Sequence, residues 1–228
     1  MSTWRGVLFD FDYTLADSSP GIIDCTRHAF ACLGQPGPAP EAIRKTIGHS
    51  LPAMYRTLGG SPGGEDEFCT QFKARADEVM VGSTTLFTGV AALLLELQSR
   101  KLRVGIVSTK YRHRIESVLV RDGAAGLVQV IVGGEDVRDH KPSPEGLLNA
   151  LKKLELAPEE ALYVGDSIVD VHTARNAGVP FAGVATGTTA AEQLSSHSIF
   201  PVLRTVAELP AALDRAGILF AAAQAGNG

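Results

Sequence analysis

Cysteine is scarce in this sequence, because its 228 residues include only Cys25, Cys32 and Cys69. The count is odd, and the spacings match neither a zinc-binding CxxC pair nor a disulfide framework. We therefore expect reduced thiols in a reducing compartment, each packing as a small hydrophobic side chain.

Long hydrophobic runs are also missing. Near the N-terminus only Val7 to Phe9 are apolar in a row before Asp10 interrupts them, which is too short for the core of a signal peptide. No apolar run approaches the roughly 18 residues of a membrane-spanning helix. These absences predict a cytoplasmic protein with no membrane partner.

The sequence has no excess of positive charge. It contains 21 Lys+Arg against 25 Asp+Glu, which gives a formal net charge of −4. A surface that coats nucleic acid needs a basic stripe, so no nucleic-acid partner is expected. An anionic substrate would have to be attracted by a local positive pocket, since the protein as a whole would repel it.

What the sequence does contain is a series of short, β-rich apolar runs that alternate with helix-like patterns. Its length fits one large domain or one domain with an insertion. The runs are apolar on both faces, as strands inside a parallel sheet are. Strand–helix alternation of this kind predicts an α/β fold with an open parallel sheet. The predicted strands are 6–11, 102–108, 128–133, 161–165 and 180–185, and the predicted helices between them include 90–101, 112–122, 144–154 and 169–177.

The alternation is interrupted between about residues 16 and 86, where no convincing strand occurs. Gly/Pro-rich breaks divide this segment into helical stretches, which we predict at 21–33, 41–47, 51–58 and 65–79. The sequence thus predicts an all-helical module inserted after the first strand. A further helix is predicted in the tail, over 208–223.

Polar side chains follow the predicted strands, where a parallel sheet places its ligands. Carboxylates crowded into one crevice require a cation between them, and oxygen ligands favour Mg²⁺. A lysine and a hydroxyl nearby suit phosphoryl oxygens, and an aspartate can act as the nucleophile of phosphoryl transfer. The residues at the strand ends are Asp10, Asp12, Thr14, Ser108, Thr109, Lys110, Lys141, Asp166 and Asp170.

The motifs DFDYTLADS, VST, KP and GDSIVD, in this order, resemble those of the haloacid dehalogenase (HAD) superfamily. The inserted helices resemble the C1 cap of its phosphoglycolate phosphatase-like group. The resemblance covers essentially the whole chain. It implies a Rossmann-like parallel-sheet core formed by residues 1–15 and 87–228, with a helical cap formed by residues 16–86.

The resemblance also implies roles for the two aspartates of the first motif. Asp10 matches the nucleophile, which becomes phosphorylated. Asp12 matches the general acid that protonates the leaving oxygen and then acts as base toward water, and its backbone carbonyl would reach Mg²⁺. Dehalogenases of the superfamily lack this second carboxylate, so its presence implies phosphate esters or anhydrides as substrates.

The later motifs match the other groups of such a site. Ser108 matches the hydroxyl that binds a phosphoryl oxygen, together with the backbone N–H of Thr109. Lys141 matches the lysine that offsets charge on the nucleophile and the phosphate. Asp166 matches a direct Mg²⁺ ligand, and Asp170 a ligand acting directly or through water.

Four further residues are candidates for contacting substrate. Thr14 and Lys110 lie beside the motifs, where each could bind substrate or serve only the fold. In the predicted cap, Arg44 and His49 lie in or near the loop that the resemblance assigns to substrate specificity. They would meet the non-reacting end of an anionic substrate, or else belong to a solvated surface. The other histidines fit no metal-ligand spacing and are expected to be structural or exposed: His28, His113, His140, His172 and His197.

Tyr13 departs from the family pattern, which usually has glycine directly after the general acid. Glycine lets the backbone turn there without steric cost. A tyrosine suggests that the turn keeps a negative φ, or that the ring shapes the leaving-group side of the pocket.

These features predict a Mg²⁺-dependent phosphatase, a phosphoric monoester hydrolase acting on a small phosphorylated metabolite such as 2-phosphoglycolate. A pyrophosphatase or a phosphosugar mutase would use the same core residues. A non-catalytic binding protein is the alternative outside enzymes, although both Asp10 and Asp12 are present. A monomer and a homodimer are both compatible with the sequence.

Overall fold

In the computed structural model, residues 4–215 are described. Five strands form a parallel sheet: β1 (Gly6–Phe9), β4 (Arg103–Val107), β5 (Val130–Val132), β6 (Ala161–Gly165) and β7 (Phe181–Gly183). Their order in the sheet is β5-β4-β1-β6-β7, with β1 at its centre. All residues of β1 and β6 are buried, as expected for strands covered on both faces.

Helices cover both faces of this sheet. On one face, side chains such as Phe9 and Ile106 pack with α5 (Val90–Ser99), α6 (Arg112–Arg121) and α10 (Leu209–Arg215). On the other face, Leu8 and Tyr163 pack with three other helices. Those are α7 (Glu145–Leu154), α8 (Ile168–Ala177) and α9 (Ala191–Ser195). Successive side chains of a strand point to opposite faces, which divides the core into these two hydrophobic clusters.

Between β1 and α5 lies a helical module, which consists of α1 (Ser19–Cys32), α2 (Pro40–Arg44), α3 (Leu51–Thr57) and α4 (Glu65–Val79). It has a hydrophobic cluster of its own. Three rings form its centre, with centroid distances of 5.4 Å for Phe30–Tyr55, 5.5 Å for Phe30–Phe68 and 4.9 Å for Tyr55–Phe68. Aromatic pairs at such distances add stability beyond the area they bury.

The predicted fold class, an α/β parallel sheet with an inserted helical module, is confirmed. The prediction was wrong in one detail, because two short strands lie inside the segment where none was expected. They are β2 (Ala16–Asp17) and β3 (Thr85–Leu86), which pair antiparallel where the chain enters and leaves the helical module. Two-residue strands carry no periodicity that a sequence pattern can reveal.

The tail helix is described only in part. The helix α10 ends at Arg215 in the described region, and the remainder of the prediction for 208–223 lies outside the described residues. Within residues 4–215, no helix combines the length and the apolar character needed to cross a bilayer.

Candidate active site

The register of the sheet brings three motifs to one edge. Phe9 of β1 is paired with Ile106 of β4 and with Val164 of β6. The residues that follow these strands therefore emerge side by side at the carboxyl edge. The backbone N–H of Asp10 donates to the carbonyl of Val164 at 2.9 Å, which fixes the point where the chain leaves the sheet.

Three buried carboxylates converge at this edge. One carboxylate oxygen from each of Asp10, Asp166 and Asp170 lies within 4.8 Å of the other two. Lys141 joins them, because its Nζ is 2.8 Å from Asp10 Oδ1 and 2.6 Å from Asp170 Oδ1. The structure thus brings together four of the predicted site residues from three separate segments of the chain.

The pKa values of these groups reflect burial beside like charges. Burial raises the pKa of Asp10 to about 7; Lys141 opposes the increase and Asp170 adds to it. Burial, followed by the charges of Asp170 and Asp10, raises the pKa of Asp166 well above its ordinary range. Burial would lower the pKa of Lys141, but Asp10 and Asp170 raise it well above the usual value. The lysine is therefore a permanent cation, while the carboxylates need further positive charge to ionise together.

Local structure holds Asp170 in place. Ser167 is the N-cap of α8 and its Oγ accepts from the backbone N–H of Asp170 at 3.2 Å, in a capping box. The Ser167 hydroxyl lies 2.6 Å from Asp170 Oδ2. The hydroxyl of Tyr163 lies 3.1 Å from Asp170 Oδ1 and 3.2 Å from Lys141 Nζ. Both oxygens of Asp170 are thus engaged by the protein.

Asp166 is held from two sides. Thr14 donates through Oγ1 to Asp166 Oδ1 at 3.0 Å, so this predicted substrate-binding residue contacts a carboxylate of the cluster. A Cβ at Gly187 would lie 1.9 Å from Asp166 Oδ2, so only glycine fits against this oxygen. Among residues 4–215, no hydrogen-bond donor reaches Asp166 Oδ2 or Asp10 Oδ2. These two oxygens are the ones available to an external cation or substrate.

Asp12 stands apart from the three-carboxylate cluster. Its Oδ1 accepts from the Ser18 hydroxyl at 2.6 Å and lies 3.1 Å from the ammonium group of Lys110. Both charged side chains of this pair are nearly fully buried. Lys110, predicted to bind substrate, is thus the ion-pair partner of Asp12.

Ser108 and Thr109 follow β4 at the same edge. The Ser108 Oγ accepts from the backbone N–H of Lys110 at 3.3 Å, which leaves the hydroxyl proton of Ser108 able to donate. Thr109 Oγ1 donates to the carbonyl of Gly48 at 3.4 Å and so links the sheet to the helical module. The backbone N–H of Thr109 has no acceptor within the described residues.

A cavity of about 290 Å³ lies between the helical module and the sheet. Asp12 and Lys110 line it on the sheet side, and His49 lines it on the side of the module. Arg44 is not among its lining residues, because its guanidinium contacts the hydroxyls of Ser19 and Tyr13. Of the two residues predicted in the cap, the structure brings only His49 to the cavity.

Sequence reasoning missed several residues of the cavity and the site. Lys73, Tyr111 and Arg114 line the cavity, as does His140, which was expected to be structural or exposed. Burial lowers the pKa of His49, and it lowers that of His140, where the charge of Lys73 acts in the same direction. Both imidazoles are therefore neutral at pH 7.

Some of the missed contacts could have been predicted from sequence patterns. Ser167 before a helix, three residues ahead of Asp170, matches a capping box that could have been recognised. Tyr163 lies in a predicted buried strand, where a tyrosine hydroxyl needs a polar partner. Ser18 ends the first motif and precedes a helix, where a serine also predicts an N-cap, so its contact with Asp12 could not be singled out. Gly187 lies in a segment without periodicity, and no pattern marks its contact with the site.

Tyr13 contradicts one expectation. Its φ is +62°, so the prediction that the turn keeps a negative φ was wrong. A non-glycine residue in this region costs on the order of 1–3 kcal/mol. The conformation is held because Tyr13 N–H donates to the carbonyl of Ala16 at 2.7 Å and the Thr186 hydroxyl donates to its carbonyl. The ring packs in the hydrophobic cluster of the helical module and is not among the residues that line the cavity.

The cysteines differ in their surroundings. Cys25 is buried in the hydrophobic cluster of the helical module, where burial raises the pKa of its thiol to about 12. Cys32 is exposed, and Cys69 is half-buried and lines the cavity. All three thiols are free.

The protein has an open parallel sheet with clustered carboxylates and a lysine at its carboxyl edge, and an inserted helical module covers that edge. These features are typical of an α/β enzyme. The chain belongs to the haloacid dehalogenase-like hydrolase family, whose model matches residues 7–184. It is a phosphatase, and the predicted enzyme class, a phosphoric monoester hydrolase, is confirmed.

Individual relatives agree with this assignment. The chain is 31% identical over 206 residues to a phosphoglycolate phosphatase of Escherichia coli strain K12, a match covering 80% of this chain and 82% of the relative. A solved haloacid dehalogenase-like hydrolase from Bacteroides fragilis is 41% identical, with a TM-score of 0.87 over 91% of this chain and 100% of that one. A haloacid dehalogenase-like family protein from Streptococcus pneumoniae is 25% identical, with a TM-score of 0.83 over 92% of this chain and 99% of that one.

Proposed function

We propose that this protein is a Mg²⁺-dependent phosphatase that hydrolyses a small phosphomonoester through an aspartyl-phosphate formed on Asp10. The observation that carries the proposal is the buried Asp10 carboxylate, with Lys141 on one oxygen and no donor among the described residues on the other. The similarity to phosphoglycolate phosphatases supports a compact phosphorylated acid as the substrate.

The charge balance of the site supports a divalent cation. Three carboxylates face one ammonium group, so ionised Asp10, Asp166 and Asp170 leave two negative charges unbalanced. The donors are all oxygens, which Mg²⁺ prefers. Asp10 Oδ2 and Asp166 Oδ2 would hold the ion directly, and Asp170 would act by fixing Lys141. When bound, Mg²⁺ would offset the charge of the carboxylates and of the phosphoryl group.

In the first step, Asp10 attacks phosphorus and the bond from phosphorus to the leaving oxygen breaks. Asp12 reacts in its protonated form: it donates its proton to that oxygen, which departs as an alcohol, and is left ionised beside Lys110. Asp12 lines the cavity, so a leaving group that occupies the cavity would extend past this acid. Ser108 and the backbone N–H of Thr109 donate to phosphoryl oxygens, which places phosphorus next to Asp10.

In the second step, Asp12 removes a proton from water as the water oxygen attacks phosphorus. The bond from phosphorus to Asp10 breaks, which releases inorganic phosphate and restores both carboxyl groups to their starting states. Lys141 stays charged throughout and stabilises the charge that returns to Asp10.

The helical module would act as the cap. Its separate hydrophobic cluster supports a division into a core of residues 1–15 and 87–228 and a cap of residues 16–86. A module that covers the reacting group excludes bulk water and selects the leaving group.

The proposal is tested with a panel of phosphomonoesters, pyrophosphate and phosphosugars, assayed for inorganic phosphate and for isomerised product in the presence of Mg²⁺. We expect phosphate from esters, including 2-phosphoglycolate, without isomerisation. Selective pyrophosphate cleavage would favour a pyrophosphatase, and an isomerised sugar phosphate would favour a mutase. If no compound of the panel gives phosphate or an isomerised product, the proposal that the protein is an enzyme of this kind is contradicted.

Binding of Mg²⁺ should stabilise the fold, and more at pH 8 than at pH 5. The folded pKa of Asp10, about 7, lies above its ordinary value of 3.8, so ionisation of Asp10 opposes folding. This penalty is absent below about pH 4, grows as the pH rises through 7, and is complete above it. At pH 8, Mg²⁺ at a hundred times its Kd should add about 2.7 kcal/mol, whereas at pH 5 protons compete for Asp10.

The measurement is the Tm with MgCl₂ against NaCl of equal ionic strength. Asp166→Asn should reduce the Mg²⁺-dependent increase, since it removes one of the two unengaged carboxylate oxygens. Equal increases with both salts, or an unchanged increase in Asp166→Asn, would contradict the assigned ligands.

A further inference from the structure

The cavity beside Asp12 is larger than a two-carbon leaving group needs. Its volume of about 290 Å³ equals roughly ten water volumes at about 30 Å³ each. A leaving group with about ten non-hydrogen atoms would fill it, whereas glycolate has half that number. Much of the wall is apolar, with side chains from the helical module that include Ile22, Ile47, Leu51, Met54, Phe72 and Met80.

Besides Lys110 and Arg114, three nitrogen-bearing side chains interrupt this apolar wall. They are His49 and Lys73 from the helical module and His140 from the sheet side. Nδ1 of His140 is buried and has no hydrogen-bond partner among residues 4–215. Because this atom has almost no accessible surface, His140 presents other ring atoms to the cavity.

Among the described residues, Lys73 is the cavity-lining cation that has no carboxylate partner. The two other cavity cations are engaged, because Lys110 pairs with Asp12 at 3.1 Å and Arg114 pairs with Asp77 at 2.6 Å. Within the described residues, no carboxylate lies within 4.0 Å of Lys73 Nζ. Asp66 also lines the cavity, but its side chain is exposed and it lies two helical turns away on α4.

The position of Lys73 is fixed from the sheet side. Its ammonium lies 5.4 Å from the centroid of the Tyr111 ring, within cation–π range. Its backbone carbonyl accepts from Arg114 Nη2 at 3.0 Å. Both contacts come from α6 or the residue before it, so Lys73 is held at the junction between the helical module and the sheet.

From this arrangement we infer that Lys73 binds a carboxylate of the substrate. This carboxylate would lie at the end of the leaving group farthest from phosphorus, and the apolar body of the leaving group would fill the cavity. The inference rests on the proposed phosphatase function and narrows its substrates to phosphomonoesters of apolar hydroxy acids. Lys73 would supply the charge, and His49, which lines the same cavity, would supply a hydrogen bond.

A matched pair of substrates isolates the charge. In 4-carboxybenzyl phosphate and 4-carbamoylbenzyl phosphate, the far groups are isosteric but only the first is anionic, and the reacting benzyl oxygen is the same. We expect the wild-type enzyme to have a higher kcat/KM for the carboxylate. Lys73→Met should lower that kcat/KM by about tenfold to a hundredfold, mainly through KM, as loss of a charge-assisted hydrogen bond does. The kcat/KM for the carboxamide should change less than about threefold, because this uncharged group loses at most a neutral hydrogen bond.

Control variants separate charge from structure. Lys73→Arg should restore the preference for the carboxylate, and Lys73→Gln provides a second neutral variant if Lys73→Met does not fold. Lys45→Met removes an exposed lysine of the helical module that does not line the cavity, and it should behave as wild type. Equal losses for both substrates, or a wild-type enzyme without preference, would overturn the inference while leaving the phosphatase proposal intact. If wild type releases no phosphate from any ester, the proposed function itself fails, and this inference fails with it.

Discussion

Replacing Asp10 with asparagine should reduce turnover by about 10⁴-fold or more, the scale of loss when a catalytic nucleophile is removed. The amide has nearly the shape of the carboxyl group, so Lys141 keeps its contact with Asp170 at 2.6 Å. Without the attacking oxygen no aspartyl-phosphate can form, whatever the leaving group. Acid quenching with ³²P-labelled ester should trap phosphoenzyme in wild type and none in Asp10→Asn.

Stability measurements would show that this loss is chemical. Because burial raises the pKa of Asp10 to about 7, the ionised wild-type group is unfavourable at pH 8. Asp10→Asn should therefore have a Tm at or above that of metal-free wild type. Asp166→Asn is the matched comparison: it weakens the metal site but keeps the nucleophile, so high Mg²⁺ should restore part of its activity. A phosphorylated Asp10→Asn protein would refute the assignment of the nucleophile.

Asp12→Asn should slow the first chemical step by about 10²- to 10⁴-fold for an alkyl phosphate, the usual worth of positioned proton transfer. The asparagine keeps an acceptor for the Ser18 hydroxyl, which now bonds Asp12 at 2.6 Å. Alanine is less suitable, because it would leave the buried Lys110 ammonium with no partner. For p-nitrophenyl phosphate the loss should be small, since its leaving group departs without a proton.

This comparison requires single-turnover kinetics of phosphoenzyme formation. In the steady state, Asp12 also serves as base toward water, so slow dephosphorylation would limit both substrates equally and hide the difference. Ser18→Ala is the control, since it removes one hydrogen bond to Asp12 and keeps the carboxyl group. Equal losses for alkyl and aryl substrates in the first step would remove Asp12 from the acid role.

The sheet and its polar edge could be predicted because each depends on local sequence. Strands such as Ala161–Gly165 are apolar throughout and sit between clear helical patterns. Since parallel strands end at the same edge, Asp10 and Asp166 could be placed together without knowledge of the strand order.

The cavity could not be predicted in this way. Lys73 reaches it because α4 docks on α6 through Arg114, a contact between residues 41 positions apart. Arg44, which lies closer to the expected specificity loop, instead contacts Tyr13 and Ser19. Charge and proximity in sequence indicated Arg44, but the packing of the helices decides which cation lines the cavity.

Tyr13 limits how freely the helical module can be exchanged between relatives of this enzyme. Tyr13 directly follows Asp12, yet its ring belongs to the hydrophobic cluster of the helical module and its hydroxyl accepts from Arg44 at 3.4 Å. The side chain at position 13, next to Asp12, therefore packs against the helical module and not against the sheet. A chimera that receives its helical module from a relative with glycine at this position would leave the Tyr13 ring without its pocket, so the cost of its left-handed backbone would no longer be offset by packing in the module. Successful recombination within the family should thus require residue 13 to be inherited together with the helices, although it precedes them in the chain.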